Sequence, residues 1–158
     1  MSSKGLIIDT NLLLLLVIGS VEEGRHIRNS NRLNAYSKDD FDVVAQFMGK
    51  FNDVFITPYI AAEVSNLIDL NGYARDSAFQ IVRVLLDEFK QVEVDLSKDA
   101  ASDSFLIYGL TDNSLIDLVS DYTVITNDAR LLGPLFAASP DNVIPFEFAK
   151  SLVDTGRS

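Results

Sequence analysis

Residues 6–18 leave this chain few ways to fold. Leu6, Ile7 and Ile8 form a short run with no polar side, and a second apolar run extends from Leu12 to Ile18. Asp9, Thr10 and Asn11 separate the two. A strand apolar on both sides must be covered on both faces, as in the interior of a parallel sheet. The second run is far short of the roughly 20 residues needed to span a bilayer, so it reads as a helix buried all round.

The same strand-then-helix pattern recurs downstream. Val54-Phe55-Ile56 predicts a second buried strand, and Thr57-Pro58 a helix start with a hydroxyl cap and proline at the first helical position. That helix is expected to reach about Leu70, where Asn71-Gly72 stops it. Tyr122 to Thr126 predicts a third buried strand, followed by Asn127, Asp128 and a short helix from Ala129 that Gly133-Pro134 ends. Val143-Ile144-Pro145 reads as a last strand, placed at an edge by its proline.

Asp39 and Asp40 open a further helix, whose Phe41, Val44, Phe47, Met48 and Phe51 recur at helical spacing. A long amphipathic helix over 73–89 points Phe79, Val82, Leu85 and Leu86 inward. Val92-Glu93-Val94 is a weak edge strand. Residues 97–108 read as another helix, which Gly109 breaks before Thr111 caps the next. Residues 20–38 are polar and irregular. Strands alternating with helices predict the α/β class: a three-layer α/β/α sandwich with a mostly parallel central sheet, one domain over 1–158.

Composition narrows the chemistry. The chain has no Cys, which excludes disulfides, thiolate nucleophiles, Fe–S clusters and Cys-based zinc sites. Its one His, His26, excludes a two-histidine metal motif and argues against a Ser-His-Asp triad. With 23 Asp and Glu against 13 Lys and Arg, the net charge is −10, and carboxylate chemistry is what remains in quantity. Such acidity disfavours a general nucleic-acid binder. Screening confines exposed charges to about 8 Å, however, so a local basic strip works on an acidic body. The first 20 residues superficially resemble a signal peptide, but Asp9 interrupts the apolar region and no small-x-small cleavage pattern follows. A cytoplasmic protein with no membrane segment is expected.

Most of the acids must be solvated surface, so those placed where burial is expected carry the information. Asp9 directly follows the first strand and Asp128 lies just past the third. Both therefore stand at the carboxyl ends of strands, where parallel sheets bind ligands. With Glu63 at zero on its helix, Ile60 falls at about +60°, Leu67 at about +40° and Leu70 at about −20°. Glu63 is thus expected within an apolar stripe. Asp112 reads likewise, with Leu115, Ile116 and Val119 around it, whereas Asp117 lies about 140° away and should be wet.

Acids near one another cannot pair among themselves, and a buried unpaired carboxylate is costly. A hard divalent cation, Mg²⁺ or Mn²⁺, would stabilise four of them and activate water for attack on phosphorus. Asp9, Glu63, Asp112 and Asp128 are the expected metal-ligating and catalytic residues. Thr10, Asn11 and Thr126 are candidates for orienting those ligands or bound waters.

The blocks "LIIDTN", "ITPYIAAEVSNLI", "GLTDNSLIDLV" and "VITNDARLL" resemble, in order, the four acid-bearing blocks of the PIN-domain ribonuclease family. They place that family's acids at Asp9, Glu63, Asp112 and Asp128 and span residues 6–132. The resemblance implies a PIN-like fold and hydrolysis of RNA phosphodiester bonds dependent on Mg²⁺ or Mn²⁺. It also implies a possible role as the toxin of a toxin–antitoxin pair, an antitoxin protein as partner, and a homodimer.

A haloacid-dehalogenase-type phosphatase also begins with an apolar strand and an Asp. It needs a second carboxylate two residues on, where this chain has Asn11. A nucleotide-binding Rossmann domain lacks its Gly-rich loop here. The non-enzymatic alternative is a PIN-like scaffold that binds a protein partner. For RNA contact, Arg25, Arg28 and Arg32 gather three of the seven arginines in one short stretch, and Arg130 follows Asp128. Arginine suits phosphate through its paired donors.

Overall fold

The structure, a computed structural model, describes residues 4–153. Five strands, β1 (Leu6–Ile8), β2 (Val54–Ile56), β3 (Lys90–Gln91), β4 (Thr123–Thr126) and β5 (Val143–Pro145), form one parallel sheet in the order β3-β2-β1-β4-β5. The α-helices of the described residues are α1 (Thr10–Gly19), α2 (Lys38–Met48), α3 (Pro58–Leu67), α4 (Gly72–Glu88), α5 (Leu96–Asp99), α6 (Asp103–Leu118), α7 (Ala129–Ala138) and α8 (Phe146–Val153). No helix among the described residues is long and apolar enough to cross a membrane.

The chain runs outward from β1 through β2 to β3, then returns to β4 and β5 on the far side of β1. Right-handed crossovers put the outgoing helices on one face of the sheet and the returning ones on the other. Packing agrees: α1 lies against α2, α3 and α4, with α8 joining through α2, while α6 packs on α5 and α7. The result is a three-layer α/β/α sandwich.

The apolar runs at 6–18 occupy its centre. In β1, Leu6 stands opposite Val54 and Thr123, and all three β1 residues are buried. Nine of the ten α1 residues are buried; Asn11 is the exception. Gly19 closes α1 against the ring of Phe41, with no room there for a β-carbon.

Several local expectations are corrected. The edge strand is Lys90–Gln91, not Val92–Val94, because β2 pairs Phe55 with Lys90 and Ile56 with Gln91. Val92 only extends that ladder through its N–H to the Ile56 carbonyl. So short an edge leaves β2 half-covered rather than fully buried. Helix α3 stops at Leu67, since Ile68 is already extended at ψ 110°. Leu86 of α4 faces outward, 46% exposed, while Val82 takes the buried position.

Gly133-Pro134 does not end α7, which runs on to Ala138. A proline inside a helix costs roughly 3 kcal/mol, yet Leu131 and Leu135 flank it and both are fully buried. Their burial, at about 1.5–3 kcal/mol each, offsets the lost bond. Residues 20–38 are less irregular than expected: short 3₁₀ turns at Val21–Gly24 and Ile27–Asn29 anchor the stretch through buried Val21, Ile27 and Leu33.

Gly19→Ala is predicted to lower stability by about 1–3 kcal/mol, the usual cost of overpacking, because Phe41 must leave its site. Urea unfolding measures it, and an unchanged midpoint would refute the close approach.

Candidate active site

Because β1 lies in the middle of a parallel sheet, the residue that follows it lies in the middle of the sheet's carboxyl edge. That residue is Asp9. It caps α1, its Oδ1 accepting the Thr10 N–H at 2.8 Å. Its Oδ2 accepts the Thr126 hydroxyl at 2.6 Å, from the last residue of the neighbouring β4. Asp9 is only 7% exposed. Burial pushes its carboxyl above the usual range, the hydroxyl of Thr126 and the N–H of Thr10 oppose that, and the charges of Asp128 and Glu63 add to it.

Asp128 follows β4 and caps α7, its Oδ1 accepting the Arg130 N–H at 2.9 Å. Its own N–H donates to Thr126 Oγ1 at 3.0 Å. One hydroxyl thus spans two acids, accepting a hydrogen bond from the Asp128 backbone and donating one to Asp9.

Glu63 projects from α3. Its Oε1 accepts the Thr10 hydroxyl at 3.1 Å, and its Oε2 accepts the Thr111 hydroxyl at 2.6 Å. Asp112 follows Thr111 on α6 and is half-buried. Its carboxyl is pushed up to about 7, first by burial, then by the charges of Asp9, Asp128 and Glu63, with Arg130 pulling the other way.

Four acids from four segments therefore face one another electrostatically, and threonines stand between them. Thr10 and Thr126 bond directly to acids of this group, Thr10 to Glu63 and Thr126 to Asp9. Asn11 does not: it is exposed and bonds to none of the acids. Glu63 is also exposed rather than set in the apolar stripe, since Ile60 and Val64 take the inward face of α3. The residue lies at the surface, not in the core. Asp117 is exposed, as its helical angle requires. It lines a separate cleft of about 430 Å³ with Glu93, Asp95, Lys98 and Asp99.

The donors at the acid site are all oxygen, which suits a hard divalent cation. As the side chains stand, no group of three or more His, Cys, Asp or Glu among the described residues is close enough to hold one. Mutual repulsion would keep metal-free carboxylates apart.

Thr111 was expected to cap a helix. Its hydroxyl instead serves Glu63, and Gly109, at φ 79°, breaks α6 just before it. The sequence carries a signal for this role: Thr10, Thr111 and Thr126 each lie within two residues of a candidate acid. Tyr36 had no such signal. It follows the 3₁₀ turns, lies edge-on to Phe146, and accepts the Asn127 amide N–H at 3.0 Å beside Asp128.

Among the expected RNA contacts, Arg25 is exposed and paired with Glu22 at 3.1 Å, which also holds His26 at 2.9 Å. Arg28 and Arg32 are exposed. Arg130 reaches from α7 to α6, donating to the Ile107 carbonyl at 3.3 Å. Comparisons with protein-family models, curated proteins and solved structures find no match to this chain.

The folded protein retains the Asp112 proton up to about pH 7, whereas the unfolded chain releases it near 3.8. The folded state binds more protons across that window, so metal-free stability falls as pH rises through it, and the loss is complete above about pH 7. Asp112→Asn is predicted to remove this component. In chelator at pH 8 it should raise stability by on the order of 1 kcal/mol after allowance for solvent screening. Thermal melts of both proteins at pH 5 and pH 8 measure the effect, and a variant whose pH dependence equals wild type would contradict it.

Proposed function

We propose that the chain is a metal-dependent endoribonuclease of PIN-like architecture, acting in the cytoplasm on RNA phosphodiester bonds. The observation that carries this reading is the convergence of Asp9, Glu63, Asp112 and Asp128 on the carboxyl edge, where the charges of neighbouring acids add to burial in raising the carboxyls of Asp9 and Asp112. The resemblance of the four blocks to that ribonuclease family supports it. On the same ground we read the chain as a candidate toxin with an antitoxin partner and as a homodimer.

In this proposal Asp9, Glu63, Asp112 and Asp128 hold Mg²⁺ or Mn²⁺, which when bound supplies Lewis acidity at phosphorus and a water of lowered pKa. The chain's own groups prepare the site. Thr126 and the Thr10 N–H fix the Asp9 carboxylate in one orientation, and Thr10 and Thr111 fix both oxygens of Glu63. These partners reduce the side-chain freedom lost when ligands gather, and removal of such partners typically costs 10–100-fold in affinity or activity. Asp112, protonated up to about pH 7, must give up its proton to act as a ligand. Arg130, whose charge acts on Asp112, offers a positive charge for substrate phosphate; the exposed Arg28 and Arg32 are further candidates, and Arg25 is engaged by Glu22.

The scaffold alternative draws on one observation, that among the described residues no three acids stand ready to hold a metal. Metal titration separates the two: a scaffold need not bind Mn²⁺, while for the nuclease Mn²⁺ should raise the melting temperature by mass action.

RNA cleavage in Mg²⁺ or Mn²⁺ tests the reading. Asp9→Asn and Asp112→Asn are predicted to lose activity by a factor of about 100 or more, and Thr111→Val by roughly 10–100-fold. Asp117→Asn, on the opposite face of the same helix, should stay within about twofold of wild type. Wild-type cleavage by Asp9→Asn would overturn the assignment.

A further inference from the structure

Leu106 and Ile107 are 81% and 65% exposed, an unusual investment of two adjacent large apolar side chains in solvent. They lie in the first half of α6, which Gly109 at φ 79° and ψ −179° separates from the half carrying Thr111 and Asp112. No atom lies within 4 Å of a β-carbon built on Gly109, so crowding does not select glycine there; the positive φ does.

Arg130 ties this segment to the acid site. Its backbone N–H bonds Asp128, its Nη2 donates to the Ile107 carbonyl at 3.3 Å, and its guanidinium lies 5.6 Å from the centroid of the Tyr108 ring. A guanidinium has five N–H donors, and one bond to a carbonyl leaves others for an anion. The ring and carbonyl hold the group in place beside Asp112, whose carboxyl responds to its charge. Arg130 thus links the segment that carries the exposed apolar pair to the cluster of acids, with the cation between the two.

That order matches one nucleotide of an RNA strand: an apolar base face, a phosphate, then the bond to be broken. We propose that Leu106, Ile107 and Arg130 seat the nucleotide adjoining the cleaved bond, the base lying on the two apolar side chains and its phosphate on the guanidinium. This rests on the ribonuclease reading. The charge complementarity of Arg130 with a phosphodiester is what favours RNA over a protein occupant. Every base has an apolar face, so the seat selects for an unstacked nucleotide rather than for one base.

The test is fluorescence anisotropy with Ca²⁺ in place of Mg²⁺, using a short single-stranded RNA and an abasic strand of the same length. Wild type is expected to bind the base-bearing strand about fivefold tighter or more. Leu106→Ser with Ile107→Ser should bring the two strands within about twofold and leave the salt dependence unchanged. Arg130→Gln should keep the base preference and lower the salt slope by about 0.7, the value of one single-strand phosphate contact. Both apolar side chains are exposed, so the substitutions do not touch the core. A wild type without base preference, or a double variant that retains it, overturns the seat. So does sedimentation showing that the double variant turns a dimer into a monomer, which would make these residues a subunit interface. Loss of cleavage in Asp9→Asn tests the ribonuclease reading separately, so an active nuclease whose double variant keeps its base preference refutes the seat alone.

Discussion

The unavoidable burial of residues 6–18 determines where everything else goes. A strand and helix with no polar face can sit only at the middle of the sheet and the middle of a helical layer, and β1 and α1 do so. The junction between them is then forced onto the centre of the carboxyl edge. Asp9 stands at that junction, and its carboxylate has two fixed partners from the fold itself, the first N–H of α1 and the last hydroxyl of β4. A polar side chain so deeply placed is tolerable because both its oxygens are bonded.

From that point the site is an electrostatic problem with a structural solution only partly supplied by protein. Burial and the charges of neighbouring acids raise the carboxyls of Asp9 and Asp112, and among the described residues Arg130 counters this at Asp112. The threonines hold carboxylates in orientation without neutralising them: Thr126 links the Asp128 backbone to Asp9, and Thr10 and Thr111 grip Glu63 from α1 and α6. The threonines therefore set the spacing of charges that still repel. That combination of fixed orientation and unrelieved repulsion is the physical ground for proposing a divalent cation.

The architecture was legible in the sequence because β1 and β2 are wholly apolar and β4 is apolar at its centre, and such strands call for cover on both faces. Three acids at strand ends or on helix faces were legible for the same reason: Asp9 and Asp128 by chain position, Asp112 by its angle to Leu115 and Val119. Glu63 was placed in the right region but on the wrong footing, since periodicity cannot distinguish the edge of an apolar stripe from its centre. Pro134 reads locally as a stop, while Leu131 and Leu135 supply tertiary burial that no local rule includes. The bond from Thr111 to Glu63 joins residues 48 positions apart, and the contact of Tyr36 with Asn127 joins residues 91 apart. Contacts at such separation depend on how the layers meet, which spacing along the chain does not encode.

The central claim is that repulsion among these carboxylates is resolved by a metal ion, and proton release on Mn²⁺ binding tests it most directly. Calorimetric titration in buffers of differing ionisation enthalpy counts those protons. At pH 6, where Asp112 retains its proton, binding should release at least one proton, and the release should fall by about one as pH rises to about 8.5. Asp112→Asn should bind more weakly and release about one proton fewer than wild type at pH 6. Absence of Mn²⁺ binding, or a proton release that does not change across that range, would contradict the claim.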